Sequence, residues 1–459
     1  MTLHYRGRAG ELLSRLGIRD YDRIRVIRGN EVFEGILIPR PEILDDEHLI
    51  LKLDNGYNIG VNIQGARIEL VSRGAPSRAK EMPELRYRED LPYVPLVVTG
   101  GTITSRVDYS TGAVISHERP EELLDIVPEL ADIVNTNYVP LFAEFSENLT
   151  PEHWRRIAEA VYDQLRRGAE GVLIAHGTDT MHYTAAALAF MLRDLDKPVV
   201  LVGSQRSIDR PSTDAILNLI AAARVAAQGP IAESVIVMHG SPHDDYAHVI
   251  RGVRARKLHT SRRDAFQPVN EPPLARVTRD RIEILTDNFV RRREGRSQVR
   301  LDDRMEPNVA LIYTWPGMPR DLLAYMAERF KGIVIAGTGL GHTPRDLIPE
   351  IARIVDEGVP VGITSQCLFG RVDLQVYETG RRLLVAGVIP GGDMLPEVAL
   401  VKLMFVLGHT RDMDEVREMM GENLAGELGA HLGLNVFPPC WRWRHGCRSR
   451  LQIGGVEGR

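Results

Sequence analysis

Between Tyr21 and Val71 apolar and polar residues alternate in short runs. RIRVIR, VFEGILIP, HLILKL, YNIGVNI and ARIELV each follow the period of two that marks a half-buried strand. Turn signals separate them, Arg28-Gly29-Asn30 and the stronger hairpin signal Asp54-Asn55-Gly56. Short strands at this spacing predict a small SH3-like barrel, a module that docks or binds more often than it catalyses. Leu12, Leu13 and Leu16 give residues 1–18 the stripe of a short helix. The period then lapses. SRGAPSRAKEMPELRYREDLPY, residues 72–93, is charged and Pro-containing and reads as a linker.

From Val94 the pattern changes to alternating strand and helix. Strands are predicted at 94–98, within ADIVNTNYVPLF, at 171–175, 198–204 and 234–239. Helices are predicted at 120–130, 151–167, 180–195 and 212–227. Thr150-Pro151 supplies a cap and a proline at the first helical position, and Gly168 supplies the stop. Ser212 or Thr213 would cap the last helix. This rhythm predicts a parallel sheet with helices on both faces. A polar stretch at 275–307 leads to a second block, with strands at 309–313, 332–336 and 360–364 and helices at 319–330, 344–357, 395–407 and 413–424. The expected fold is α/β, a two-subdomain parallel-sheet body preceded by a small all-β barrel. The expected divisions are 1–72 for helix and barrel, 73–92 for the linker, 93–275 and 308–427 for the subdomains and 276–307 between them. Residues 428–459 form a basic tail to which the pattern assigns no structure.

Composition narrows the function classes. The chain is 44% hydrophobic and 26% charged, as soluble globular proteins are. No run approaches the roughly 18 apolar residues of a membrane span, and the first residues lack a signal peptide's apolar core. A cytoplasmic location is expected. A net charge of −5 argues against indiscriminate nucleic-acid binding. Cys367, Cys440 and Cys447 form neither a CxxC nor an even framework, so no disulfide or zinc site is expected. His239, His243, Asp244, Asp245 and His248 have ligating atoms but no recognised metal spacing, and read as polar loop residues near a site. RRREGR, at 291–296, reads as a solvated connection, with a tRNA contact as the lesser alternative. Lysines are scarce, six against a large excess of arginine. Each is therefore informative, since Lys can lose its proton in a protein and Arg does not.

In parallel sheets ligands sit at the carboxyl ends of the strands. Three turns fall there: TGGT after 94–98, HGTDT after 171–175 and GSQRS after 198–202. In LVVTGGTIT two glycines allow a sharp turn that presents the hydroxyl of Thr102. A hydroxyl attacks only if a base takes its proton and the oxyanion is stabilised. Gly101 and neighbouring backbone N–H groups suit the second need. HGTDT offers Thr178 and Asp179, although a Thr-Asp turn also serves as a plain helix start. Lys257, in RGVRARKLHTSRRDAFQ, could hold Asp179 ionised or act as a base, or it could be a solvated Lys in a basic run.

TGGTIT followed by AHGTDTM and by the Lys of RARKLHTSRRDAF resembles the bacterial L-asparaginase and amidohydrolase family over residues 93–425. The resemblance implies that Thr102 is the nucleophile and that Thr178, Asp179 and Lys257 form the second catalytic cluster. It implies that Tyr109, in RVDYSTGAV, is the lid tyrosine beside the nucleophile. Ser146 and Glu147, in FSENLTP, match the segment that holds the substrate's amino-acid head group. No metal or cofactor is implied in this chain. Near AGTGLGHTP the family usually places an Asn where His342 stands.

The barrel and linker ahead of that body, with GTITSRVDYSTGAV and PLFAEFSENLTPEHW, resemble the glutaminase subunits of archaeal tRNA-dependent amidotransferases. That narrower resemblance implies hydrolysis of glutamine and delivery of ammonia to a tRNA-binding partner, the E subunit of such enzymes. The partner would hold Glu-tRNA(Gln), ATP and Mg. A homodimer within a heterotetramer is implied, with no membrane association. The chain shows no GxxxxGK[ST] loop and no RNA-binding signature, consistent with that division of labour. Two other expectations stand beside it: a free-standing asparaginase with an added barrel, and a non-catalytic docking protein. The intact Thr102, Thr178, Asp179 and Lys257 argue against the last.

Overall fold

A computed structural model of the 459-residue chain describes residues 5–38, 45–53, 58–74, 87–101, 103, 105–107, 114–116, 127–207 and 213–431. The hairpin signal at 54–56, most of the linker, most of the helix expected at 120–130 and the tail from 432 lie outside the described residues.

Helix α1 (Gly7–Arg15) precedes strands β1 (Arg23–Arg28), β2 (Glu31–Ile38), β3 (His48–Lys52), β4 (Asn58–Asn62) and β5 (Arg67–Ser72). The strands form one antiparallel sheet in the order β4-β3-β2-β1-β5. The alternation of the sequence is the alternation of the sheet: Ile24 and Val26 of β1 and Leu49 and Leu51 of β3 are buried, and their neighbours are not. Leu13 and Ile18 pack into the same core, which makes this a small barrel-like domain.

The first subdomain of the body runs β6 (Leu96–Gly100), a hairpin of β7 (Ser105–Val107) and β8 (Val114–Ser116), then β9 (Tyr138–Glu144) and α2 (Pro151–Arg166). It continues with β10 (Val172–Ala175), α3 (Met181–Met191), β11 (Leu192–Arg193), β12 (Val199–Val202), α4 (Ala215–Gln228) and β13 (Ser234–His239). Then come β14 (Ala247–Arg251), β15 (Ala255–Lys257), β16 (Phe266–Pro268), β17 (Ala275–Val277), β18 (Ile282–Ile284) and β19 (Arg300–Leu301). Eight strands form a sheet in the order β18-β17-β14-β13-β12-β10-β6-β9.

The sheet is parallel from β9 to β13 and antiparallel beyond, so it is mixed rather than purely parallel. β17 and β18 lie in the stretch expected to be polar, 275–307. Each is three residues long, and β18, the edge strand, is largely exposed, so no apolar run marks them. The helix expected to reach 195 stops at Met191, where the chain turns into β11 and pairs with β19. Asp214, not Ser212 or Thr213, holds the N-cap position of α4; Thr213 accepts the Ala215 N–H from one residue further out, at 3.2 Å.

The second subdomain comprises β20 (Val309–Tyr313), α5 (Arg320–Ala327), β21 (Gly332–Gly337), α6 (Ile348–Asp356), β22 (Val361–Ser365), α7 (Glu378–Val385), β23 (Ile389–Pro390), α8 (Pro396–Leu407) and α9 (Met413–Gly421). Its four strands are parallel, in the order β20-β21-β22-β23. The two subdomains share a core. Helices α3 and α8 are apolar almost all round, as helices buried on every side are, and Phe190 stacks on Phe405 with ring centroids 6.0 Å apart. Removing either ring should cost about 3–5 kcal/mol. Lys402 of α8 is fully buried. It pairs with Glu427 at 2.6 Å and donates to the carbonyl of Met420 at 3.0 Å, which fastens the segment after α9 to the core.

Candidate active site

Strand β6 lies between β10 and β9, and all five of its residues are buried. The Thr99 hydroxyl donates to the Ala175 carbonyl at 2.9 Å, which ties the ends of β6 and β10 together. The backbone then turns through Gly100 at φ +102° and Gly101 at φ +83°. A Cβ on Gly100 would stand 2.5 Å from the Glu144 carbonyl oxygen, and one on Gly101 would stand 2.3 Å from the Gly177 nitrogen. Both glycines are therefore required by conformation and by space. Ile103, just beyond, is fully buried. Thr102 and Tyr109 lie outside the described residues.

The facing turn, His176 to Thr180, is locked from within. His176 is fully buried; its Nδ1 donates to the Gly177 carbonyl at 2.6 Å and its Nε2 accepts from the Thr184 hydroxyl at 2.8 Å. One donor and one acceptor are the two valences of a neutral imidazole. Burial agrees, holding the His176 pKa down to about 4. Burial, helped by the charges of Arg256 and Lys257, brings His182 down to about 3. The Thr180 hydroxyl donates to the Ser146 carbonyl at 2.6 Å, and a Cβ on Gly177 would stand 2.7 Å from that of Ser146. Ser146, 3% exposed, is thus wedged against the turn, while Glu147 beside it is exposed.

Lys257 reaches this turn from the hairpin of β15 and β16, where it pairs with Phe266. Its Nζ donates to the Thr178 hydroxyl oxygen at 2.8 Å and to an Asp179 carboxylate oxygen at 2.7 Å. The Lys257 side chain keeps 10% of its exposure and that of Asp179 keeps 66%. An ion pair with one member so exposed contributes at most about 1 kcal/mol to stability. Its consequence is one of direction. Because the Thr178 oxygen accepts from Lys257, the Thr178 proton is left to point elsewhere. The structure therefore brings Thr178, Asp179 and Lys257 into contact and seats Gly101 and Ser146 against the same turn.

Other expected residues fall into place differently. Among the described residues, no group of three or more His, Cys, Asp or Glu is arranged to hold a metal. His239, the last residue of β13, instead bonds Asn218 of α4 on one side and Asp244, in the loop after β13, on the other. His342 packs its ring edge-on against Tyr377, 5.3 Å between centroids, and its backbone closes a turn with Thr338. In RRREGR the solvated reading fails for Arg292, which turns inward to Glu170 at 2.6 Å; Glu170 also pairs with the buried Lys197. Thr180 holds the N-cap position of α3, as a helix start at this turn requires, but the bonds of the His176 ring and the bond from Thr180 to Ser146 were not read from the sequence. Their only signal was position, immediately after a buried strand and around Gly-Thr-Asp.

Three family patterns match the chain: GatD N-terminal domain at residues 18–71, Asparaginase, N-terminal at 93–289, and Glutaminase/Asparaginase C-terminal domain at 308–420. The D subunit of glutamyl-tRNA(Gln) amidotransferase from Pyrococcus furiosus is 50% identical over 94% of this chain and 99% of its own. The protein of that name from Methanothermobacter thermautotrophicus is 49% identical over 95% and 100%. Among solved structures, the thermostable L-asparaginase of Thermococcus kodakarensis superposes with a TM-score of 0.67 at 34% identity, covering 74% of this chain and 100% of its own. L-asparaginase I of Vibrio cholerae gives 0.65 at 29%, covering 74% and 99%.

Proposed function

The chain belongs to the family of glutamyl-tRNA(Gln) amidotransferase D subunits, and on that premise we propose that it hydrolyses glutamine to feed ammonia to a partner protein. The observation that carries this reading is the contact of Lys257 with both Thr178 and Asp179, across a glycine turn that leads into Thr102.

The chemistry follows from those groups. Thr102 Oγ attacks the side-chain amide carbon of glutamine; a C–O bond forms and the carbonyl oxygen becomes an oxyanion. Backbone N–H groups next to Gly101 receive that charge. Thr178, Lys257 and Asp179 take up the hydroxyl proton and return a proton to the departing nitrogen. The C–N bond breaks and ammonia leaves. Water then cleaves the γ-glutamyl ester on Thr102, which releases glutamate and restores the hydroxyl. Tyr109 activates or positions the nucleophile, and Ser146 and Glu147 hold the amino-acid head group. This chain needs no metal or cofactor for these steps.

The ammonia passes to the E subunit, which holds Glu-tRNA(Gln), ATP and Mg and forms Gln-tRNA(Gln). Two copies of this chain act within a heterotetramer in the cytoplasm. The N-terminal domain, which matches the GatD N-terminal pattern, supports this reading over a free-standing asparaginase. Thr102→Ala tests the assignment. It should abolish amidation driven by glutamine and leave amidation driven by added ammonium salt intact in the complex. Glutamine turnover that survives the substitution would remove Thr102 from the nucleophile's place.

A further inference from the structure

A line of side chains connects the floor beneath Thr178 to the hairpin that carries Lys257. Gly203, in the loop after β12, packs under the HGTDT turn; a Cβ there would stand 2.7 Å from the His176 carbonyl oxygen and 2.9 Å from Thr178 Cγ2. The Gly203 carbonyl accepts from Asn218 Nδ2 at 3.0 Å. A carbonyl only accepts, so this contact fixes which way the Asn218 amide faces. Its oxygen is thereby turned to His239 Nδ1, 2.6 Å away. Asp214 holds the same amide nitrogen at 3.1 Å and receives the backbone N–H groups of Gln205 and Arg206.

On its other side His239 Nε2 meets Asp244 Oδ1 at 3.0 Å. The same oxygen accepts from Arg263 Nη1 at 2.6 Å. Arg263 lies in the turn of the hairpin between β15 and β16, which is closed by Leu258 N–H to the Ala265 carbonyl at 2.7 Å and holds Lys257 at its base. His239 and Asn218 are fully buried, while Asp244 and Arg263 are reached from solvent. Both ring nitrogens of His239 thus face acceptors, and the ring bridges Asn218 of α4 and Asp244 of the loop after β13.

We propose that His239 is a positioning residue: through Asn218 and Gly203 on one side and Asp244 and Arg263 on the other, it sets the separation of Thr178 and Lys257. The proposal rests on the glutaminase reading above, since the pair it aligns is the proton-handling pair of that reaction. A network that only stabilised the fold would move the unfolding midpoint. A positioning network moves kcat at constant KM.

The test uses the full complex, with glutamine hydrolysis followed as ammonia release. His239→Ala and Asp244→Ala should each lower kcat by roughly 10- to 100-fold with KM within twofold, the loss expected when reacting groups are misplaced by about an ångström. Asp244→Asn keeps an acceptor oxygen for both His239 and Arg263 and should recover most of that loss. The His239→Ala/Asp244→Ala double variant should be no worse than either single, because both cut one line. Asp244 is exposed, so its variants report even if His239→Ala fails to fold. Unchanged kcat in Asp244→Ala, additive losses, or no recovery in Asp244→Asn would overturn the proposal. Lys257→Ala is the control for the underlying reading. If it is inactive while Asp244→Ala is normal, the relay alone is wrong; if it still releases ammonia from glutamine at the normal rate, Lys257 does not handle the proton and the reading on which the relay rests is wrong at that residue.

Discussion

Strands β6 and β21 lead into similar turns, Thr99-Gly100-Gly101 and Thr338-Gly339-Leu340-Gly341. Both turns use left-handed glycines, at φ +102° and +83° in the first and +53° and +102° in the second. Their surroundings differ. At Gly101 the backbone of a neighbouring turn stands where a side chain would begin, 2.3 Å away; at Gly339 nothing lies within 4 Å. The second turn also satisfies itself, with Thr338 N–H donating to the His342 carbonyl at 2.7 Å and His342 N–H to the Thr338 carbonyl at 2.9 Å. Of the polar groups near it, the Ser365 hydroxyl donates to the Gly339 carbonyl at 2.6 Å and the Gln366 amide is occupied by the carbonyls of Thr314 and Ala336. The first turn instead faces Thr178, Asp179 and Lys257. A glycine-threonine turn after a strand is thus common to both subdomains. What makes one of them a candidate for chemistry is a second turn, pressed close and carrying charge.

That comparison can be broken most sharply at Lys257. Lys257→Arg should lower glutamine turnover by about 10²- to 10⁴-fold, because Arg keeps the charge but does not release a proton. Steady-state kinetics would show it, and near-normal turnover would reduce Lys257 to an electrostatic role. Next is the contrast between the glycines. Gly101→Ala combines a left-handed backbone with a clash against backbone and should cost about 2–5 kcal/mol in urea unfolding. The buried histidines come after. His176, with a folded pKa of about 4 against an unfolded value near 6.5, stays neutral in the fold while the unfolded chain binds its proton. Its contribution, up to about 3 kcal/mol, is present above pH 6.5 and is lost as pH falls through that window towards 4. His176→Gln should flatten this slope in unfolding curves taken from pH 7 to pH 4; an unchanged slope would contradict a buried neutral ring. Smallest is Gly339→Ala, which meets no atom and should cost only the backbone term of about 1–2 kcal/mol. Equal costs at Gly101 and Gly339 would erase the distinction between the two turns.

Much of this was legible in the residues. The period of two between Arg23 and Ser72 located five strands, most plainly β1 and β3, where buried and half-buried residues alternate. Thr150-Pro151 and Gly168 bounded α2, since caps and stops are local chemistry; His153 Nδ1 accepts the Thr150 N–H at 3.1 Å. What was missed is long-range or small. β17 and β18 are three residues each and gain their order only by pairing at a sheet edge. α7 is a short helix with only Gly380 and Leu383 buried, too little for a visible stripe. At the site, Thr178, Asp179 and Lys257 could be named from their motifs. Their contact could not be measured there, because it joins residues 79 and 78 positions apart. The tie between Asn218 and His239 spans 21 positions and has no motif at all.

The central claim is that the turn after β6 produces ammonia for a partner. It is tested most directly by ammonia release from glutamine, measured for this chain alone, with the E subunit added, and with the E subunit and Glu-tRNA(Gln) together. The account predicts slow release by the chain alone and strong stimulation when partner and charged tRNA are both present. Hydrolysis of free asparagine at an equal or greater rate, with no response to either addition, would contradict it and identify a free-standing asparaginase.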